Sequence, residues 1–160
     1  MNEIFLTPHE SLSVVFRLVL SVLVGGLIGW NRQITGKPAG LRTHMLVSLG
    51  AALIVLIPLQ TSVDRSPDAV SRAIQGVATG VGFLGAGEIL HQSVPGRNKP
   101  QVKGLTSAAA LWTTAALGMV TGCGLWATSI TGTLLVLLIL TVVKKLERSH
   151  AIHRETDSTE

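Results

Sequence analysis

The stretch "TGVGFLGAGEILHQ", residues Thr79 to Gln92, decides how the chain folds. Its spacing Gly80-x-Gly82-x-x-Gly85 matches the loop that cradles a dinucleotide phosphate. Such a loop needs a preceding strand, a helix opening at the glycines, and an acid about 20 residues further on to hold a ribose. Here the glycines lie late within a continuous apolar run, and the residues at the required distance are Gly104 and Leu105. A phosphate loop is therefore excluded, and a helix is the alternative. On a helix Arg72, Gly76, Gly80 and Gly87 share one side, with Gly76-x-x-x-Gly80 forming a close-packing step of the kind membrane helices use. Gly82 and Gly85 point to other sides. Glycine on several faces predicts a helix enclosed by protein, or bent, whose glycines serve packing.

The surrounding chain points the same way. Hydrophobic residues make up 47% and charged residues 14% of the 160, whereas a soluble domain carries about 25% charge. Five apolar runs approach the roughly 20 residues that cross a bilayer, and none alternates with the period of a strand. The expected fold is all-α: a polytopic membrane bundle of five transmembrane helices at about 12–30, 43–59, 72–90, 105–121 and 125–143. Residues 1–11 form a short outer N-terminus, 12–143 the membrane domain, and 144–160 a polar cytoplasmic tail. The N-terminus lacks the basic segment and cleavage site of a signal peptide, so it is expected to be retained.

Orientation follows from the short loops. "NRQITGKPAGLR" holds Arg32, Lys37 and Arg42, "HQSVPGRNKPQVKG" holds Arg97, Lys99 and Lys103, and the tail begins with Lys144, Lys145 and Arg148. These three basic segments alternate with acidic or neutral ones, which predicts an N-terminus outside and a C-terminus in the cytoplasm. Trp30 and Trp126 fall near opposite interfaces. No basic stripe is interleaved with aromatics, so nucleic acid is excluded as a partner. The single cysteine, Cys123, has no partner in its own chain and reads as inert.

Ionisable residues inside lipid are functional candidates by default. Glu88, near the inner end of the third run, reads either as an interfacial carboxylate reaching for water or as a buried pair or proton site. Arg42 and His44 share its depth. Arg17, near the outer end of the first run, reads either as snorkelling or as a partner of Asp68. The charges form two layers: Arg17, Asp68 and Arg72 outside, and Arg42, Glu88 and Lys103 inside. Nothing charged bridges them, which argues against a proton wire or a dry cation path through a monomer. The fourth run, rich in Ala, Ser, Thr and Gly, is expected at the centre of the bundle. His150-x-x-His153 has metal-ligand spacing but sits in the polar tail, and no metal site or cofactor is expected. The loop "TGKPAGLRT" reads as a connector or as a basic docking surface for anionic lipid or a protein.

Three segments, "RLVLSVLVGGLIGWNR" running into "GKPAGLRTHMLVSLGAAL", "RAIQGVATGVGFLGAGEIL", and "VKGLTSAAALWTTAALGMVTGCG", resemble the MgtC/SapB family of bacterial inner-membrane proteins. The resemblance covers most of Arg17–Gly124. It implies a five-span protein of the cytoplasmic membrane, linked to growth under magnesium limitation, with the membrane sector of the F-type ATP synthase as a membrane-protein partner. Where the family commonly has a Glu-Arg pair this chain has Asn31-Arg32, and it resembles the short members that lack a soluble C-terminal domain. The sequence has no P-loop and no phosphorylatable aspartate motif, so an ATPase is excluded. With no catalytic constellation, two functions remain. One is a non-enzymatic regulator acting through a membrane partner. The other is a homo-oligomeric transporter or channel, for Mg²⁺ or another ion, that gathers several Glu88 carboxylates.

Overall fold

The computed structural model describes residues 8–61, 67–92 and 103–143, and every element among them is helical. The helices are α1 (Pro8–Ile34), α2 (Leu41–Gln60), α3 (Pro67–Gln92), α4 (Leu105–Gly122) and α5 (Trp126–Leu138), the last continuing into a wider π-type turn, Ile139–Val143. Four segments are long and apolar enough to cross a membrane: Ser11–Ile34, Leu41–Gln60, Asp68–Leu90 and Trp126–Val143. The fifth helix, α4, is the interior one. Ten of its 18 residues are buried, and its Ser, Thr and Gly content suits contact with other helices better than contact with lipid.

Glycines set the C-termini of α1 and α4. Nothing after Trp30 breaks α1, so it runs on to Ile34 and ends where Gly36 adopts a φ of +67°. The Gly36 amide then donates to the Gln33 carbonyl and the Lys37 amide to that of Arg32, both at 3.0 Å, a Schellman closure. Asn31 and Arg32 are therefore the last turn of a helix, not loop residues as their sequence setting suggests. The Gln33 side chain also accepts from the Leu41 amide at 3.2 Å and so caps α2. α4 closes in the same way around Gly124, whose φ is +80°. A Cβ there would also lie 3.0 Å from the Arg17 guanidinium. Gly124→Ala is accordingly expected to destabilise the protein by about 2 kcal/mol, measurable as a lower Tm in detergent.

The helices close on glycines other than those of α3. A Cβ on Gly25 would stand 2.5 Å from the His44 carbonyl oxygen, and one on Gly29 2.8 Å from the Leu41 Cα. Further along the same stripe of α2, a Cβ on Gly118 would overlap the Ser48 carbonyl, and one on Gly122 would lie 2.9 Å from that of Ala52. Gly25-x-x-x-Gly29 and Gly118-x-x-x-Gly122 thus bring α1 and α4 into backbone contact with successive turns of one stripe of α2, meeting at Ser48. Two apolar cores fill the remainder. Ala51, Val55, Val77, Val81, Ala115 and Met119 join α2, α3 and α4, while Val24, Ile28, Leu117 and Leu140 join α1, α4 and the end of α5.

α3 corrects the expectation of an enclosed helix. Of its five glycines only Gly85 meets a neighbour, with a Cβ there falling 3.5 Å from that of Ala108. Around Gly76, Gly80, Gly82 and Gly87 a Cβ would meet nothing within 4 Å. α3 lies at the edge of the bundle, packed mainly on α4 through Val77, Val81 and Gly85.

Candidate functional site

Apolar length drives α1 into the bundle, and the helix carries Arg32 with it past the last apolar residue. Only 4% of Arg32 is exposed. Its Nη2 donates to the Ser107 hydroxyl in the first turn of α4 at 2.7 Å. Beside it stands His44, fully buried because Gly29 lets α1 approach its Cβ so closely. His44 Nδ1 lies 3.0 Å from the Gly40 carbonyl. A carbonyl can only accept, so Nδ1 carries the proton, and in the neutral ring Nε2 is left as an acceptor pointing into the interior. Glu88 of α3, half buried, is close enough for its charge to act on both Arg32 and His44. It lines a pocket of about 340 Å³ together with Pro38, Ala39, Thr43, Leu84 and Leu111.

Four buried polar atoms in this region, Asn31 Oδ1, Arg32 Nε, His44 Nε2 and Ser48 Oγ, have no hydrogen-bond partner among the described residues. Each unsatisfied buried group costs about 1–3 kcal/mol, and an interior designed for stability alone would replace them with apolar side chains. The cluster is therefore the candidate site. It holds a buried guanidinium, a tautomer-fixed imidazole and a carboxylate that faces an open pocket. Among the described residues no group of three His, Cys, Asp or Glu side chains could hold a metal ion.

The sequence-predicted residues divide between the two ends of the bundle. Glu88 and His44 come together at one end, and the cation beside them is Arg32, which its setting in a basic loop conceals. Arg42 and Lys103 are exposed on the same end. At the other end Arg17 turns away from Asp68. It donates from Nη1 to the Gly122 carbonyl at 3.0 Å, satisfying the C-terminus of α4, and lies 6.0 Å from the centre of the Trp126 ring. Trp126 in turn packs on Phe16, with ring centroids 4.9 Å apart. The physical reason is that the free carbonyls ending α4 and the face of an indole offer a cation closer partners. Burial pushes the Cys123 thiol upward, opposed by the Arg17 charge. Asp68 and Arg72 are exposed on α3. His150 and His153 lie outside the described residues. Because Arg32 reaches Ser107 and Arg17 reaches Gly122, α1 and α4 run antiparallel, with a charged cluster at each end of the pair.

The MgtC family matches residues 18–149 of this chain. The chain is 51% identical to SrpB of Synechococcus elongatus over 92% of its own length and 84% of that protein's. It is 44% identical to YhiD of Escherichia coli strain K12, over 82% of this chain and 61% of YhiD. It is 37% identical to MgtC of Salmonella typhimurium strain LT2, over 77% of this chain and 49% of MgtC. The chain thus spans most of SrpB but only about half to three fifths of YhiD and MgtC. No solved structure matches.

Proposed function

The chain belongs to the MgtC family, and on that premise we propose that it is a non-enzymatic, multi-pass protein of the bacterial inner membrane that regulates magnesium homeostasis or membrane energetics through a membrane-protein partner. In this reading all five helices span, with α4 as the central one, the N-terminus lies outside, and the Arg32–Glu88 end faces the cytoplasm. The observation that carries it is the cation behind the carboxylate. A transport site for Mg²⁺ wants several oxygen ligands, whereas here the one carboxylate lies close enough for its charge to act on the buried guanidinium of Arg32. The site is a compensated charge pair, suited to holding the inner ends of α1, α3 and α4 in one arrangement that a partner can sense. The exposed basic side chains at this end, Lys37, Arg42 and Lys103, supply a surface for such a partner. The family resemblance makes the membrane sector of the F-type ATP synthase the first one to test.

A second reading, a cation transporter, draws on the pocket that opens onto Glu88 and on the name of YhiD, which casts that relative as a candidate magnesium transporter. Three measurements separate them. Under the regulator reading, the purified chain in liposomes carries no Mg²⁺ flux, yet restores growth of its own deletion strain at low magnesium and retains a stoichiometric membrane partner in mild detergent. Mg²⁺ flux that Glu88→Gln abolishes would overturn it in favour of the transporter.

A further inference from the structure

The pocket beside Glu88 lies at the depth where a bilayer passes from hydrocarbon to headgroups. Thr43 stands two residues inside the start of the apolar segment Leu41–Gln60, and Glu88 two residues inside the end of Asp68–Leu90. Leu111 of α4, only 3% exposed, closes the back of the pocket, whereas Thr43 and Leu84 are exposed at its mouth. Leu84 is one turn deeper along α3 than Glu88, so the wall below the carboxylate is apolar. At about 340 Å³ the pocket is at the small end of the range for ligand sites, about 300–1,000 Å³, a size suited to one headgroup.

Its charges select what enters. Glu88 is the one acidic residue among those lining it, and no basic residue lines it. Cations surround it. Lys37 and Arg42, both exposed, are next in the chain to the pocket residues Pro38 and Thr43, and the buried Arg32 is close enough to interact with the carboxylate's charge. A purely anionic headgroup meets Glu88 on entering, and a bare divalent cation meets the surrounding positive charges. A ligand that carries an ammonium and a phosphate a few bonds apart satisfies both.

We propose that this pocket binds the headgroup of an aminophospholipid. The ethanolamine ammonium donates to Glu88, the phosphate lies at the rim with Arg42, and the acyl chains leave past Leu84 into the bilayer. A carboxylate offers two oxygens with about four lone-pair sites, so Glu88 can accept from the ammonium and still interact with Arg32. The proposal rests on α2 and α3 crossing the bilayer, and it holds for the regulator and the transporter alike.

The test is native mass spectrometry of the full chain in mild detergent, exchanged with equal amounts of phosphatidylethanolamine, phosphatidylcholine and phosphatidylglycerol of matched acyl chains. Retention of phosphatidylethanolamine roughly tenfold above the other two is expected, because phosphatidylcholine has no N–H to donate and phosphatidylglycerol has no cation. Glu88→Gln is expected to abolish the preference, while Asp68→Asn, exposed on the first turn of α3, keeps it. Leu84→Trp fills the pocket mouth and leaves every charge in place. It is expected to lose the lipid with little change of Tm, and it decides the matter if the Glu88 variant folds poorly. Glycerophosphoethanolamine, the same headgroup without tails, is expected not to displace the lipid at equal concentration. Equal retention of the three lipids, a preference that survives Leu84→Trp, or displacement by the tail-less headgroup would each overturn the proposal. Recovery of the chain from the soluble fraction would overturn the membrane reading with it, whereas recovery from membranes without a lipid preference overturns the proposal alone.

Discussion

Gly118→Val is expected to destabilise the protein by about 3 kcal/mol, the upper range for overpacking a well-filled interior, and to reduce its yield from membranes. The atoms a Cβ would overlap at Gly118 are the carbonyl oxygen, carbonyl carbon and Cα of Ser48. These are backbone, so no rotamer change can clear them. Ser48 is also where α1 meets α2, since a Cβ on Gly25 would stand 2.9 Å from the Ser48 Cβ, so a shift of α2 away from α4 disturbs that contact as well. The substitution therefore has to part α2 from α4, the contact that buries Ala51, Val55, Ala115 and Met119. Gly50→Ala in the same helix is the control. A Cβ there meets nothing within 4 Å, so the change is expected to be neutral or to add up to about 1 kcal/mol through helix propensity. Thermal unfolding of both variants in one detergent decides the matter, and equal losses at Gly50 and Gly118 would refute this account of the packing.

The contrast between these glycines shows which features of the fold are legible in the sequence. Helix existence depends on apolar length, which is local, and the five runs match the five helices to within a turn or so at most ends. Which Gly-x-x-x-Gly step closes on a neighbour is not local. Gly76–Gly80, Gly25–Gly29 and Gly118–Gly122 have the same spacing, and only the direction in which each helix faces the bundle separates the first from the other two. The candidate site shows the same division. The depths of Glu88 and His44 follow from position along their helices. Arg32 was concealed because its burial depends on a hydroxyl 75 residues away, Ser107, and because α1 continues past its apolar run. The one available signal was that no helix breaker stands between Trp30 and Gly36. Arg17 illustrates the converse: Asp68 is the partner that charge suggests, yet the open end of α4 and the Trp126 ring take the guanidinium.

Arg32→Met is the second large effect. Removing one member of a buried charged pair typically costs about 3–5 kcal/mol, because the remaining charge is left uncompensated. Glu88 is only half buried, so water will screen part of its charge, and a loss of about 3 kcal/mol is expected. Some of that loss comes from the Ser107 hydroxyl, which gives up a 2.7 Å bond. Glu88→Gln alone leaves the deeper charge, that of Arg32, without its counter-ion. It keeps the shape and hydrogen-bonding capacity of the side chain, and so should cost less. The informative variant is the double one. If Arg32 and Glu88 act as a pair, Arg32→Met combined with Glu88→Gln removes both charges at once and recovers stability relative to the sum of the singles, with a coupling of about 1–2 kcal/mol. If the two losses simply add, Arg32 is held by Ser107 alone and the compensated-pair reading of the site fails. The cycle also separates stability from function. A double variant that folds well but no longer supports growth at low magnesium would show that the charges themselves, and not only the helix arrangement they hold, are what the partner reads.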